Sequence, residues 1–184
     1  MDTKWRFGVG PTFNINNNID FVNGVKNSTK TSSYGVNINA NQNVKDKYNF
    51  YFSPSFSWNH SKASLNAAAN ADYWQLDGWA NADVTLPKKF ELRTDANIQI
   101  RQKDPRFTKN NNYTTWNASA IKRFAKDVFE LKFGVYDILN QKKGYQRNFN
   151  SSSFTETYNT TLRRFWLLTF TWNISKNGKP ASGF

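Results

Sequence analysis

The sequence predicts an all-β chain, an antiparallel transmembrane β-barrel with about eight strands that forms part of a larger barrel. Three observations carry this expectation. Residues 90–101 read Phe-Glu-Leu-Arg-Thr-Asp-Ala-Asn-Ile-Gln-Ile-Arg, with apolar or small residues at even positions and polar or charged ones at odd positions. That period of two belongs to a strand with one dry and one wet face. The same alternation returns along almost the whole chain, and its segments are joined by connections that alternate long and short. Finally, the longest strongly apolar stretch, residues 165–170, falls far below the roughly 20 residues that a spanning helix needs.

Composition agrees with a wall that is half wet. The mean hydropathy of −0.76 would argue against a helical membrane protein, but a spanning strand needs only every second residue to face lipid. Aromatics make up 17% of the 184 residues, which suits strands and membrane interfaces. One barrel region, residues 1–174, and a polar tail, residues 175–184, account for the length. The absence of cysteine excludes thiolate metal sites, disulfide frameworks and cysteine nucleophiles. A formal charge of +12 raises the question of nucleic acid, but the cations are scattered over loops, turns and inward positions. Outer-membrane lipid and lipopolysaccharide phosphates are the expected partners, and nucleic acid is not. Met1 opens directly into strand pattern without an export signal, so the chain reads as a mature form or as the C-terminal piece of a longer protein.

The elements follow in order. The first strand sets Trp5, Phe7, Val9, Pro11, Phe13 and Ile15 against Arg6, Gly8, Gly10, Thr12, Asn14 and Asn16. A polar stretch containing Asn23-Gly24 and Asn27-Ser28-Thr29 reads as a long connection. The second strand sets Tyr34, Val36, Ile38 and Ala40 against Gly35, Asn37, Asn39 and Asn41, and turns at residues 43–47. The third carries Tyr48, Phe50, Phe52, Pro54, Phe56 and Trp58 outward; the fourth carries Trp74, Leu76, Gly78, Ala80, Ala82, Val84 and Leu86. Residues 61–71 join them, and the tight Pro87-Lys88-Lys89 leads into the fifth, residues 90–101. After a polar loop over residues 103–112, the sixth strand spans about 113–124 and turns at Ala125-Lys126-Asp127. The seventh sets Phe129, Leu131, Phe133 and Val135 against Glu130, Lys132, Gly134 and Tyr136. A loop from 141 to about 154 follows, and the eighth strand ends with Trp166, Leu168, Phe170, Trp172 and Ile174 outward.

The asymmetry of the connections orients the barrel, because outer-membrane barrels keep short turns in the periplasm and long loops outside. Ten steps from Tyr48 to Trp58 at about 3.3 Å each, tilted near 40°, span about 25 Å along the membrane normal. This matches the apolar band, with an aromatic at either end.

Several segments also resemble a known family. Tyr136-Asp137-Ile138-Leu139-Asn140-Gln141, reached through residues 129–135, resembles the penultimate strand of TonB-dependent-receptor-type outer-membrane barrels common in Bacteroidetes, and residues 164–174 resemble their last strand. Phe21-Val22-Asn23-Gly24 and residues 112–119 are also similar to that family. The resemblance implies a Gram-negative receptor that takes up a scarce nutrient through a large barrel, plugged by an N-terminal domain and energised by TonB. Plug and TonB box are missing from these residues, so both partners would have to come through upstream sequence.

Chemistry is sparse. Arg6, Asp77, Asp83, Glu91, Arg93, Asp95, Arg101, Glu130 and Lys132 fall on the inward parity as candidate lumen-facing residues. Charges of both signs there pair across strands and keep a lumen polar. Arg106 and Phe107 in one loop, and Lys142, Lys143, Tyr145 and Arg147 in another, are candidates for gripping an anionic or sugar ligand at the cell surface. His60, beside Ser57 and Ser61, is the sole imidazole base, but its parity continues the outward row of Phe56 and Trp58. No catalytic, cofactor or metal site is expected. The function read from the sequence is therefore the wall of an uptake receptor, without catalysis. A complete eight-stranded barrel serving as anchor or adhesin is one alternative, and a soluble all-β ligand-binding protein the other.

Overall fold

A computed structural model describes residues 4–104, 112–149 and 154–174. Eight strands form one antiparallel sheet: β1 (Arg6–Val22), β2 (Val25–Val44), β3 (Tyr48–Ala63), β4 (Ala71–Leu86), β5 (Phe90–Arg101), β6 (Tyr113–Phe124), β7 (Phe129–Tyr136) and β10 (Phe165–Trp172). β8 (Tyr145–Phe149) and β9 (Phe154–Tyr158) make a separate hairpin within the connection from β7 to β10. Every neighbour in the large sheet except β10 is the next strand in the chain. Tight turns return β2, β3, β5 and β7 beside their predecessors, and longer connections do the same for β4, β6 and β10.

The ladders preserve one parity throughout. Phe7, Ala40, Phe52, Ala80, Ala96 and Trp116 lie in one row across six strands. The next row, one residue away, is Arg6, Asn41, Tyr51, Asn81, Asp95 and Asn117. One face is thus apolar and the other polar, as the alternation requires. The apolar face has no protein layer over it: Phe7, Val9 and Phe13 are each at least two-thirds exposed. Fully buried residues are few among those described, with Ile121 and Tyr145 the buried apolar ones. A sheet whose large side chains point away from any core has a solvent other than water on that side.

Aromatic rings gather near both ends of the apolar face. At the turn end, Trp5 stacks on Phe50 at 6.5 Å and Phe129 packs on Trp172 at 5.9 Å. Toward the loop end, Phe13 meets Tyr34 at 5.1 Å and Phe56 stacks on Trp74 at 6.4 Å. Such belts suit the two interfaces of a bilayer. The turns are tied to one another: Lys89 Nζ lies 2.8 Å from Asp127 Oδ1, and the Lys122 ammonium donates to the Lys88 carbonyl.

Two sequence expectations are corrected. The first connection is no long loop, because β1 and β2 run on past the apolar segments and meet at the two-residue turn Asn23-Gly24, with φ of 50° and 79°. Left-handed conformation at both central positions matches strand twist, and Asn-Gly is the pair that tolerates it best. Polar Asn, Ser and Thr can pair as strands in water, so an alternating pattern is not needed there. The second correction concerns the end of the chain. The eighth strand of the sheet begins at Phe165, and residues 154–158 pair instead with β8, from Tyr145↔Tyr158 to Phe149↔Phe154. The polar tail 175–184 lies outside the described residues.

Candidate functional site

The polar face collects the charged residues that parity singled out. Arg6 and Asp95 share one row; Asp83 and Arg93 are partners in the next; Glu91, Ile121 and Lys132 make a third; and Asp77 pairs with Gln99, and Arg101 with Gln75, toward the loop end. Glu130 stands opposite Arg123 across the β6–β7 turn.

Near the turn end these residues form a continuous ionic network. Arg93 Nε lies 2.5 Å from Glu91 Oε1 and 3.8 Å from Asp83 Oδ1. Arg123 bridges Glu91 Oε2 at 2.9 Å and Glu130 Oε2 at 2.8 Å. Glu91 is the hinge of the network, its side chain only 13% exposed between two guanidiniums. Replacing Glu91 by Gln leaves both cations facing a neutral amide. We expect a thermal midpoint in detergent lower by a few degrees, from the loss of about 1 kcal/mol, and a deficit that shrinks in 1 M salt. An unchanged midpoint at low salt would show that the network contributes nothing to stability.

Farther along the same face, Asn117 donates to Asp95 at 2.7 Å, Gln75 donates to Asp77 at 2.7 Å, and the Arg101 guanidinium lies 3.4 Å from the centroid of the Tyr73 ring. Trp79 packs on Tyr51 at 5.4 Å and remains 45% exposed. The face is paired and polar without being filled. Arg123 lies outside the residues that the sequence singles out, and its signal is an odd position on β6 just before a short turn to Glu130.

The β7–β10 connection begins with a clasp. Asp137 is 3% exposed with φ of 50°, and its carboxylate accepts the backbone N–H groups of Gln141 at 2.9 Å and Lys142 at 3.0 Å. Its own N–H donates to Asn117 Oδ1 at 2.9 Å, and the Ile138 N–H donates to the Trp116 carbonyl at 2.8 Å. Asn140 Oδ1 accepts from the Arg164 N–H at 3.3 Å, and Gln141 Oε1 from the Thr114 N–H at 3.1 Å. The polar residues of Tyr136-Asp137-Ile138-Leu139-Asn140-Gln141 thus fix where the loop leaves the sheet. Aspartate tolerates the left-handed conformation and bonds its own downstream backbone, which is why this residue type stands there.

Beyond the clasp, Lys142, Lys143 and Tyr145 line a cavity with Tyr158, Thr160 and Arg163. Of the remaining loop candidates, Arg147 lies on β8, and Arg106 and Phe107 fall outside the described residues. On β2, near the Asn23-Gly24 turn, Asn27 is 1% exposed, and its Oδ1 accepts from Ser64 Oγ at 3.1 Å and the Leu65 N–H at 3.2 Å. This fastens the β1–β2 hairpin to the β3–β4 connection, a role that no sequence pattern announces.

His60 stands between Ser32 and Asp72 in one apolar-parity row, with Nδ1 3.7 Å from Asp72 Oδ2. Ser57 and Ser61 carry the opposite parity and point to the other face. Among the described residues no group of three or more His, Cys, Asp or Glu is placed to hold a metal ion.

An antiparallel sheet with an uncovered apolar face, aromatic belts and a paired polar face is the wall of a membrane β-barrel. Residues 7–172 match the model of the outer membrane protein beta-barrel family, and the chain belongs to that family, whose place is the outer membrane. No curated protein and no solved structure matches it.

Proposed function

We propose that this chain is the wall segment of a TonB-dependent nutrient-uptake receptor, lining a path that an N-terminal plug closes and TonB opens. The observation that carries the reading is the open sheet. Among the described residues β1 and β10 are not ladder neighbours, and on the polar face the Arg93 side chain is 48% exposed. Eight strands closed on themselves would leave an interior just wide enough for side chains to fill it. A wider barrel leaves room for a plug and a solute, and the network around Glu91 and Arg123 offers the polar surface against which a plug can rest. The segments at residues 129–141 and 164–174 that resemble TonB-dependent receptors support the same reading. The orientation follows from loop lengths: the clasped loop and the β8–β9 hairpin face outward, close to lipopolysaccharide phosphates.

The rival reading, a complete eight-stranded anchor, draws on the even strand count of the sheet. The chain contains no native cysteine, so paired cysteines separate the two. With one cysteine at Gly10 and another at Thr169, a wider barrel gives no intramolecular disulfide in the native outer membrane. Rapid and complete cross-linking would close the sheet between β1 and β10 and overturn the uptake reading.

A further inference from the structure

We infer that the cavity between the clasp and the β8–β9 hairpin binds a phosphorylated sugar. It encloses about 590 Å³, within the usual range for small-molecule sites. Lys142, Lys143 and Arg163 converge on it, three cations brought together from both arms of the loop. The nearby carboxylate, Glu156, is engaged by phenols: it accepts from the Tyr145 hydroxyl, and the Tyr158 hydroxyl lies 3.5 Å from its other oxygen. Gathering like charges costs free energy that an anion in the cavity would return. A phosphomonoester carries about −1.5 to −2 charges near pH 7 and three acceptor oxygens, and so answers three donors better than a single carboxylate does.

The rest of the lining selects a ring. Tyr145 is 6% exposed and packs at 4.8 Å on Tyr158, which is 58% exposed and leaves an aromatic face available. An aromatic plate with a polar tip suits the mixed surface of a sugar, and Thr160 and Thr161 add hydroxyls beside it. The walls are held in advance. The Asn159 N–H donates to the Gly144 carbonyl at 2.6 Å, and any side chain at Gly144 would run into the Asn159 backbone. Together with the Asp137 clasp this fixes both sides of the cavity before a ligand arrives, which lowers the ordering cost of binding. The inference rests on the loop's own geometry and not on the uptake reading.

The test uses the full-length protein purified from outer membranes in detergent, with glucose 6-phosphate, inorganic phosphate and glucose as probes in calorimetry. Glucose 6-phosphate is expected to bind more tightly than either fragment. Lys142→Gln, Lys143→Gln and Arg163→Gln together should weaken it about tenfold or more, as charge-assisted bonds are lost. Tyr158→Ala should remove the advantage over inorganic phosphate while leaving phosphate binding in place. Heat-dependent gel mobility confirms that each variant keeps its fold. Competition by intact but not dephosphorylated lipopolysaccharide would assign the ligand to the surrounding leaflet; competition by neither would assign it to a soluble sugar phosphate. Absence of glucose 6-phosphate binding, or affinity unchanged by the triple substitution in a folded variant, would overturn the inference.

Discussion

Arginine at Phe52 is expected to abolish assembly into the outer membrane, whereas arginine at Ser53, one residue further on, is expected to be tolerated. Phe52 lies near the middle of the Tyr48–Trp58 span on the apolar face, between Ala40 and Ala80, and is 48% exposed to what must be lipid. A guanidinium near the bilayer midplane costs about 2–4 kcal/mol on top of the lost aromatic contact, a large share of the stability of a single domain. Ser53 belongs to the polar face opposite Trp79, where an arginine reaches water and the face of an indole. Heat-dependent mobility of the two variants in outer-membrane fractions reads the difference directly. Equal tolerance at both positions would mean that the apolar face does not meet lipid.

The second large effect is expected at Asp137. Alanine there leaves the Gln141 and Lys142 N–H groups without their acceptor at a site only 3% exposed, and it puts a residue that disfavours left-handed conformation at φ of 50°. Each orphaned buried donor costs about 1–3 kcal/mol, enough to release the start of the loop while the sheet persists. Trypsin applied to intact cells should then cut at Lys142 and Lys143 about 10- to 100-fold faster than in the parent protein. Asp137→Asn, which keeps one acceptor and tolerates the backbone, should fall between the two. Cleavage rates unchanged by the alanine would show that the clasp does not hold the loop.

The strands from β3 to β7 were legible because each alternates large apolar with polar residues, and a barrel wall fixes register by that contrast alone. Where both faces meet water the contrast disappears. Asn23-Gly24 is a strong hairpin signal, yet its flanks, residues 16–22 and 25–33, are mixed enough to pass for loop. The β8–β9 hairpin was missed for a related reason: five residues a side are too few for a period. Its trace was the mirrored placement of aromatics, Tyr145 with Tyr158 and Phe149 with Phe154, which becomes visible once the pairing is known.

The charged face was legible by the same parity, which placed Glu91, Arg93 and Asp83 together but left out Arg123, the residue that joins Glu91 to Glu130. Pairing across a turn depends on register, and the sequence leaves register open. Asp137 stood inside a segment noted only for its family resemblance. Its buried role depends on Asn117 from β6 and on the backbone of the following loop, contacts that no local pattern encodes.

One face of this sheet meets lipid while the other lines a hydrated space. The cysteine-free chain makes a direct measurement possible: single cysteines at successive positions from Phe50 to Ser57, treated in native outer membranes with a charged thiol reagent. Odd positions such as Ser53 and Ser55 are predicted to react, and even positions such as Phe52 and Phe56 to stay silent. Reaction at the even positions, or silence at the odd ones, would contradict this arrangement.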